Sequence, residues 1–483
     1  MRLLDYTSEL NYNHHVKVLL IKAGFVPKRF NIVTTPLGIA YLASYLREKE
    51  PHIKLKLYDI RLDKPDDNQL YSTIKEFSPD VVGISAITME AHEMHRIALL
   101  TKRVSPKIKV IAGGPHPTLF PRDTLADMNI DYVVRGEGEI TFHKLLNALA
   151  GGKDGKDING IAYRENGEII VNPPGEIVQN PDEIPFPAWD LLPIERYAKE
   201  RKFSGTRLEI PYVAMYTERG CPYECIYCHK LSGRTVRKRS PENVLAEMEY
   251  VMKRFGIRRF EIVDDIFNVD TKRTHAICEG ILRRGWKTIL SFPNGLRSDI
   301  LDEETIKLLR RCGTYYVSFA IESASERIQR LIRKNLNIEK ARRAIEIGVK
   351  NGIFAVGYFM IGFPTETKEE INQTIKFAVT SKLHTAGFFI VTPFENTDLY
   401  EMYGDGREFK DFKNYHYHYT HINLSNVDDK TLQRLYMKAY LLFYGYPPRI
   451  LRVFRDYPFN KIGYFKQILG FRHGFFSINK MKF

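Results

Sequence analysis

Three cysteines stand within eight residues, Cys221-Pro222-Tyr223-Glu224-Cys225-Ile226-Tyr227-Cys228, with the spacing C-x3-C-x2-C and no fourth cysteine nearby. Thiolates are soft ligands suited to zinc and to iron–sulfur clusters. A structural zinc site takes four protein ligands, and an electron-transfer cluster takes four thiolates. Three thiolates on one loop suit a [4Fe–4S] cluster with one iron left open to a substrate or cofactor. The alternative is a zinc site completed by His229. That residue follows Cys228 directly, and a loop rarely lets two adjacent residues ligate one ion.

The remaining thiols are few. Five cysteines in 483 residues cannot form a disulfide framework. Cys278 and Cys312 read as isolated, ordinary buried thiols, one inside a helix and one near a helix end. The chain is 44% apolar and 27% charged, a globular composition long enough for two or three domains. Its formal charge of +14 favours polyanions, anionic membrane surfaces or phosphorylated cofactors. No stretch reaches the roughly 20 apolar residues needed to span a bilayer. Residues 1–15 lack the apolar run of a signal peptide, so a cytoplasmic protein is expected.

Around the cysteines, the elements fall into four segments. Residues 1–150 alternate apolar runs (16–21, 53–59, 80–85, 109–113, 132–135) with helical patterns (36–47, 66–77, 90–103, 121–128, 139–150). This rhythm predicts a flavodoxin-like, doubly wound α/β domain whose ligand lies at the strand carboxyl ends. Those ends carry Gly113-Gly114-Pro115-His116 and Arg135-Gly136-Glu137-Gly138-Glu139. Residues 151–205 read as a proline-rich linker with a small hairpin turning at Glu165-Asn166-Gly167. Residues 206–400 show six strand–helix units, which predict a partial (β/α)6 barrel with its site at the strand carboxyl ends. Residues 401–483 form a small, mainly helical C-terminal region, with a capped helix over 428–444.

The cysteine spacing after the first strand of a partial barrel, with aromatic Tyr227 before the last cysteine, resembles the radical S-adenosylmethionine (SAM) superfamily. The resemblance implies that Cys221, Cys225 and Cys228 hold a [4Fe–4S] cluster whose open iron is chelated by SAM. One electron then cleaves the sulfonium to a 5′-deoxyadenosyl radical, which abstracts hydrogen from an unactivated carbon. It further implies roles at successive strand ends: Asp264 and Asp265 for the SAM amino group, Asn294 and Arg297 for the carboxylate region, Glu322 for ribose hydroxyls or the methionyl amine, and Gly362 for adenine.

The first half resembles the cobalamin-binding domain fused to one large radical SAM class, through Pro36-Leu37-Gly38, Asp80-Val81-Val82-Gly83-Ile84-Ser85, Gly113-Gly114-Pro115-His116-Pro117-Thr118, Arg135-Gly136-Glu137-Gly138-Glu139 and the linker Ile184-Pro185-Phe186-Pro187-Ala188-Trp189-Asp190. What this implies is cobalamin contact by Leu37, Gly38, Ser85, Gly113, Gly114, Pro115, His116, Gly136, Glu137 and Gly138. The usual D-x-H-x-x-G signature is absent, so no lower axial histidine is expected from it, and His116 reads as a loop residue. A sheet that binds no corrin is the alternative. A dinucleotide is disfavoured because no G-x-G-x-x-G follows the first strand.

That class includes anaerobic Mg-protoporphyrin monomethyl ester cyclases and radical C-methyltransferases. The resemblance therefore implies an enzyme that methylates an unactivated carbon of a small hydrophobic or lipid-like substrate, using a low-potential donor such as ferredoxin or flavodoxin. Radical cyclisation on a lipid or tetrapyrrole is the alternative within the scaffold, and a non-catalytic cobalamin or Fe–S sensor the alternative outside it. The related methylthiotransferases carry three further cysteines in the N-terminal domain, and no cysteine precedes Cys221 here. Gly362-Phe363-Pro364-Thr365-Glu366 and Thr392-Pro393-Phe394-Glu395-Asn396-Thr397 depart from the usual barrel pattern.

Two features lie outside this scheme. Residues 446–483 hold ten Phe/Tyr, eight Lys/Arg and one acid, Asp456. Basic side chains interleaved with large rings suit an anionic membrane surface. Packing over the barrel opening is the competing expectation, with single-stranded nucleic acid the weaker one. His416, His418 and His421 alternate and so share one face of an extended strand, which suits a polar cavity wall better than a metal site.

Overall fold

The computed structural model describes residues 16–24, 33–200, 210–229, 231–404 and 422–457. The histidine run and residues 458–483 of the basic aromatic segment lie outside these. The chain divides into two compact units, with the main change between Ile177 and Val178.

The first unit is built on a seven-stranded sheet. Its strands are β1 (Lys17–Lys22), β2 (Lys54–Asp59), β3 (Val81–Ser85), β4 (Lys109–Gly113), β5 (Tyr132–Val134), β6 (Ile161–Glu165) and β7 (Glu168–Val171). They lie in the order β2-β1-β3-β4-β5-β6-β7, and the first five are parallel. This is the flavodoxin-like winding expected from the sequence. Val18, Leu19, Leu20 and Ile21 of β1 are all buried, the unbroken apolar run of a parallel strand covered on both faces. Helices α1 (Leu37–Lys49), α2 (Asp67–Phe77), α3 (Ala91–Val104) and α4 (Gly138–Ala150) connect the strands. The β6–β7 hairpin adds to β5 in antiparallel register, so it extends the sheet.

The second unit holds six parallel strands: β8 (Val213–Met215), β9 (Arg259–Ile262), β10 (Ile289–Phe292), β11 (Thr314–Glu322), β12 (Phe354–Ile361) and β13 (Thr385–Ile390). Their order follows the chain from β8 to β13, as a partial (β/α)6 barrel requires. Between them run α5 (Pro241–Phe255), α6 (Thr271–Arg283), α7 (Glu303–Arg311), α8 (Glu326–Leu331), α9 (Ile338–Lys350) and α10 (Lys368–Thr380). Their starts follow from local chemistry. Ser240, Asp270, Asp302, Ser325, Asn337 and Thr367 each accept a backbone N–H of the first helical turn.

Two C-terminal helices follow, α11 (Asp429–Tyr444) and α12 (Pro447–Asp456). α12 packs Val453 and Tyr457 against Tyr315, Tyr316 and Phe354, at the amino ends of β11 and β12. The described part of the basic aromatic segment therefore covers the end of the barrel opposite the strand carboxyl termini. It does not close the opening over the site, one of the expectations drawn from the sequence. Arg449 is turned inward, donating to the carbonyls of Leu383, Phe443, Ala378, Val379 and Ser381.

Candidate active site

The cysteine loop leaves β8 through a short antiparallel pairing of Glu218–Arg219 with Arg237–Lys238. Gly220 then turns at φ +96°, and a Cβ there would lie 2.4 Å from the Thr235 carbonyl oxygen, so only glycine fits before Cys221. Further along, Ile226 is fully buried among Ile328, Ile332, Phe363 and Val391. Its N–H donates to Ile332 O at 3.2 Å, and its carbonyl accepts from Leu399 N at 2.8 Å. The Arg297 guanidinium sits 3.8 Å above the Tyr223 ring. The loop is thus pinned at its base and by Ile226, while Cys228 stays exposed, Cys221 half-buried and Cys225 buried.

The Cys225 and Cys228 thiols are hydrogen-bonded to each other. This bond, helped by the nearby Lys334 cation, lowers Cys225 to about 6. Among the described residues, no three His, Cys, Asp or Glu side chains are already drawn together as a metal site. The fit to a cluster therefore rests on the donor set, three thiols on one anchored loop and none in a disulfide. His229 has a different partner: its Nε2 lies 3.1 Å from Glu395 O and its ring stacks on Phe394. Nothing in this geometry favours zinc completed by His229.

At the strand ends, the sequence-predicted residues separate into two groups. Asp264 is turned inward, accepting Thr217 N at 2.6 Å, Glu218 N at 3.3 Å and the Thr217 hydroxyl. Burial raises its carboxyl to about 6 against those bonds. Burial, with Asp264 nearby, likewise raises Glu218 to about 8. Asp265 is exposed and accepts the Gly220 N–H and the Ser232 hydroxyl. Both aspartates thus brace the strand leading into Cys221. Asn294 ties the end of β10 to β9 by donating to Val263 O at 2.7 Å. Arg297 is held by Asp299 at 2.8 and 3.1 Å and donates to Lys334 O, so its contacts position the loop.

Glu322 behaves differently. A register shift between β11 and β12 falls at Ala320/Glu322, and Glu322 has φ +63°, a left-handed conformation costly for a residue with a side chain. Its Oε1 lies 3.1 Å from Lys334 Nζ and 3.3 Å from the Tyr227 hydroxyl, and Lys334 Nζ lies 3.3 Å from that same hydroxyl. Lys334 projects from a turn whose flanking residues, Arg333 and Asn335, both have positive φ. Sequence reading missed Lys334; the available signal was a cation in the turn that follows a strand-end acid. It also assigned no role to Glu366, which is fully buried and accepts Gly362 N at 2.7 Å and Phe363 N at 3.1 Å. The Gly362 N–H is therefore taken, and burial raises Glu366 to about 8.

In the first unit, the expected cobalamin contacts lie along the carboxyl edge of the parallel strands. Gly38 and Gly136 are exposed, and a Cβ built on either meets nothing within 4 Å. Such bare backbone is what a broad, flat ligand such as a corrin needs for close approach. Gly114 serves the turn itself: at φ +90° a Cβ would sit 3.0 Å from Ala86 O and Ser85 Oγ. Gly113 and Ser85 end their strands, and Glu137 and Gly138 open α4. Leu37 is buried.

His116 is not a loop residue. Pro115 at the first helical position starts a turn of helix, Pro115–Leu119, that buries His116 completely. Its ring packs on Phe120 at 5.2 Å, and burial lowers it to about 3, so it is a neutral packing group. That is compatible with a corrin held without a histidine from this motif.

Comparison with known proteins gives two family matches: the B12 binding domain over residues 29–146 and the radical SAM superfamily over residues 215–378. An uncharacterized methyltransferase of Pyrococcus horikoshii is 36% identical over 424 residues, covering 86% of this chain and 89% of that one. The anaerobic magnesium-protoporphyrin IX monomethyl ester cyclase of Rubrivivax gelatinosus is 28% identical over 462 residues, 92% of this chain and 81% of that protein. Among solved structures, the radical SAM methyltransferase TsrM of Kitasatospora setae, with cobalamin and a [4Fe–4S] cluster bound, superposes with a TM-score of 0.65 at 20% identity. That match covers 80% of this chain and 74% of TsrM and shows the shared fold.

Proposed function

This chain belongs to the radical SAM superfamily, in the branch that carries a B12-binding domain, and we propose that it is a methyltransferase acting on an unactivated carbon of a hydrophobic substrate. The observation that carries the reading is the anchored three-cysteine loop at the carboxyl end of a six-stranded parallel sheet, in a chain whose preceding segment matches a B12-binding domain. When bound, the cluster, SAM and cobalamin supply the electron, the radical and the methyl group that side chains lack. Cys221, Cys225 and Cys228 would hold the cluster. Tyr227, Glu322 and Lys334 form a polar wall beside it, suited to the charged and hydroxyl groups of SAM. Asp264, Asp265 and Arg297 keep the loop in place, and Glu366 fixes the backbone at Gly362–Phe363. In the first unit, Gly38, Ser85, Gly113–Gly114 and Gly136–Gly138 offer the backbone edge for cobalamin.

Incubation of anaerobically reconstituted enzyme with methyl-labelled SAM, a low-potential reductant and a cell extract tests this. Label is expected in a product carbon. Release of 5′-deoxyadenosine with an unlabelled, ring-closed product would establish the second reading, cyclisation, which the similarity to the Rubrivivax cyclase supports. A ferredoxin- or flavodoxin-type donor suits the exposed edge of the loop at Cys228.

No helix among the described residues is long and apolar enough to cross a membrane. We also propose peripheral contact with anionic lipid through the outer face of α11 and α12. Leu441, Leu442, Tyr446, Ile450, Leu451 and Phe454 are exposed there, Leu451 by 72%, and basic residues dominate the segment. A Leu451→Glu, Phe454→Glu protein should lose co-sedimentation with anionic vesicles; equal binding would refute the contact.

A further inference from the structure

Cys278 and Cys312, isolated in sequence, meet in the structure with their Sγ atoms 3.2 Å apart. This corrects the expectation that they are separate thiols. They are 34 positions apart, Cys278 within α6 and Cys312 ending α7 just before β11. Each is 1% exposed.

Both backbones are fixed. The Cys312 carbonyl accepts the Thr288 hydroxyl at 2.6 Å, and its N–H donates to Leu308 O at 3.1 Å. At the next residue, Gly313, a Cβ would lie 2.1 Å from Thr288 O, so this corner is held tightly against the chain entering β10. On α6, a Cβ at Gly280 would lie 2.3 Å from Leu245 Cδ1, so that helix is seated closely on α5. The two sulfurs are therefore held in contact by the seating of α6 on α5 and of the α7–β11 corner on the chain entering β10. A disulfide bond is about 2.05 Å long, so bonding needs a closure of roughly 1 Å.

We propose that Cys278 and Cys312 are a two-electron oxidation site, converted to a disulfide by a small peroxide-class oxidant. One sulfur attacks the peroxide O–O bond; an S–O bond forms and one water leaves, giving a sulfenic acid. The second sulfur displaces the sulfenic oxygen, the S–S bond forms, and that oxygen leaves as a second water. The balance is two thiols and one hydrogen peroxide to one disulfide and two waters. The new bond ties α6 to the α7–β11 corner, away from the cysteine loop. It braces the barrel when the reducing conditions required by cluster chemistry are lost. Dithiol exchange reverses it. Burial excludes a bulky disulfide reagent from these two sulfurs.

The reconstituted full-length enzyme tests this, with Cys312→Ser as the control. After brief hydrogen peroxide treatment, alkylation of free thiols and proteolysis without reductant, mass spectrometry should find the Cys278 and Cys312 peptides joined, two hydrogens lighter and separable by dithiothreitol. The oxidised protein should melt several degrees above the reduced one, a shift absent from Cys312→Ser. In the folded protein before cluster reconstitution, 5,5′-dithiobis-(2-nitrobenzoate) should label the loop thiols and spare this pair. The proposal fails if peroxide consumes the loop thiols and no joined peptide forms, or if Cys278 is found joined only to a loop cysteine.

Discussion

The two ends of the same six strands are built in opposite ways. At the amino ends, charged and aromatic groups are buried and partnered. Arg259 opens β9 with no exposure, lies between the Tyr212 and Tyr315 rings and donates to the Tyr315 hydroxyl at 2.7 Å. Phe354 opens β12 stacked on His384 at 4.4 Å and covered by Tyr457. At the carboxyl ends, Cys228, Asp265 and Asn294 are exposed, and Glu322 and the residues flanking Lys334 have left-handed backbones. The thiols are paired in both places: Cys225 is lowered by its bond with Cys228, while Cys228 and Cys278 are each raised by the bond to a partner thiol and by burial. One end spends its groups on cohesion and the other holds groups ready for ligands, at the cost of local strain.

The sharpest way to break this contrast is at the thiols. Cys225→Ala should reduce SAM-dependent 5′-deoxyadenosine release to background and abolish the iron–sulfur absorbance after reconstitution. Cys278→Ser should leave both unchanged. Equal loss in the two proteins would show that the helical thiols also belong to the cluster site.

The amino end should respond in stability and not in chemistry. Arg449 donates to five carbonyls and is 1% exposed. Arg449→Met leaves those oxygens buried without their donor, which should cost about 2–3 kcal/mol in urea unfolding. Turnover per folded molecule should stay the same. At the other end, Lys334→Met should show the reverse pattern. Its KM for SAM should rise roughly tenfold, about 1.4 kcal/mol, with the unfolding midpoint little moved. Lys334→Arg should restore part of the affinity. A change in kcat alone would move Lys334 out of SAM binding.

This division also marks what the sequence could reveal. Buried parallel strands announce themselves as unbroken apolar runs, helix starts as Ser240-Pro241 or Asp302, and the cluster loop as a spacing of like ligands. Such signals are local in the chain. Where side chains turn after the chain has folded is not local. Asp264 and Asp265 are neighbours of the same type, yet Asp264 faces inward to Thr217 and Asp265 is exposed. Cys278 and Cys312 meet only because α6 packs beside α7. Arg449 belongs to a run that reads as a basic surface, and only the docking of α12 turns it into a buried cap. Lys334 reaches Glu322 through a turn whose positive φ values fall on Arg333 and Asn335; asparagine tolerates that conformation, but Arg333 gives no local signal of it.

Glu366 offers the smallest and most discriminating test, because it is a buried, cohesive group at the end that carries the site. Burial raises its pKa from 4.5 to about 8, although the Gly362 and Phe363 N–H groups oppose the rise. The folded state therefore binds one proton more than the unfolded chain between these two values. That proton's contribution to stability is full below about pH 4.5 and is lost as pH climbs through 8. Glu366→Gln keeps an oxygen for both N–H donors and removes the titration. Its stability at pH 6 should lie within about 0.5 kcal/mol of the parent, and it should lose less than the parent between pH 6 and pH 9. Urea midpoints at the two pH values read this directly. Parallel slopes in the two proteins would mean that Glu366 stays ionised when folded, which would make this buried carboxylate one of the charged groups held ready at the carboxyl end.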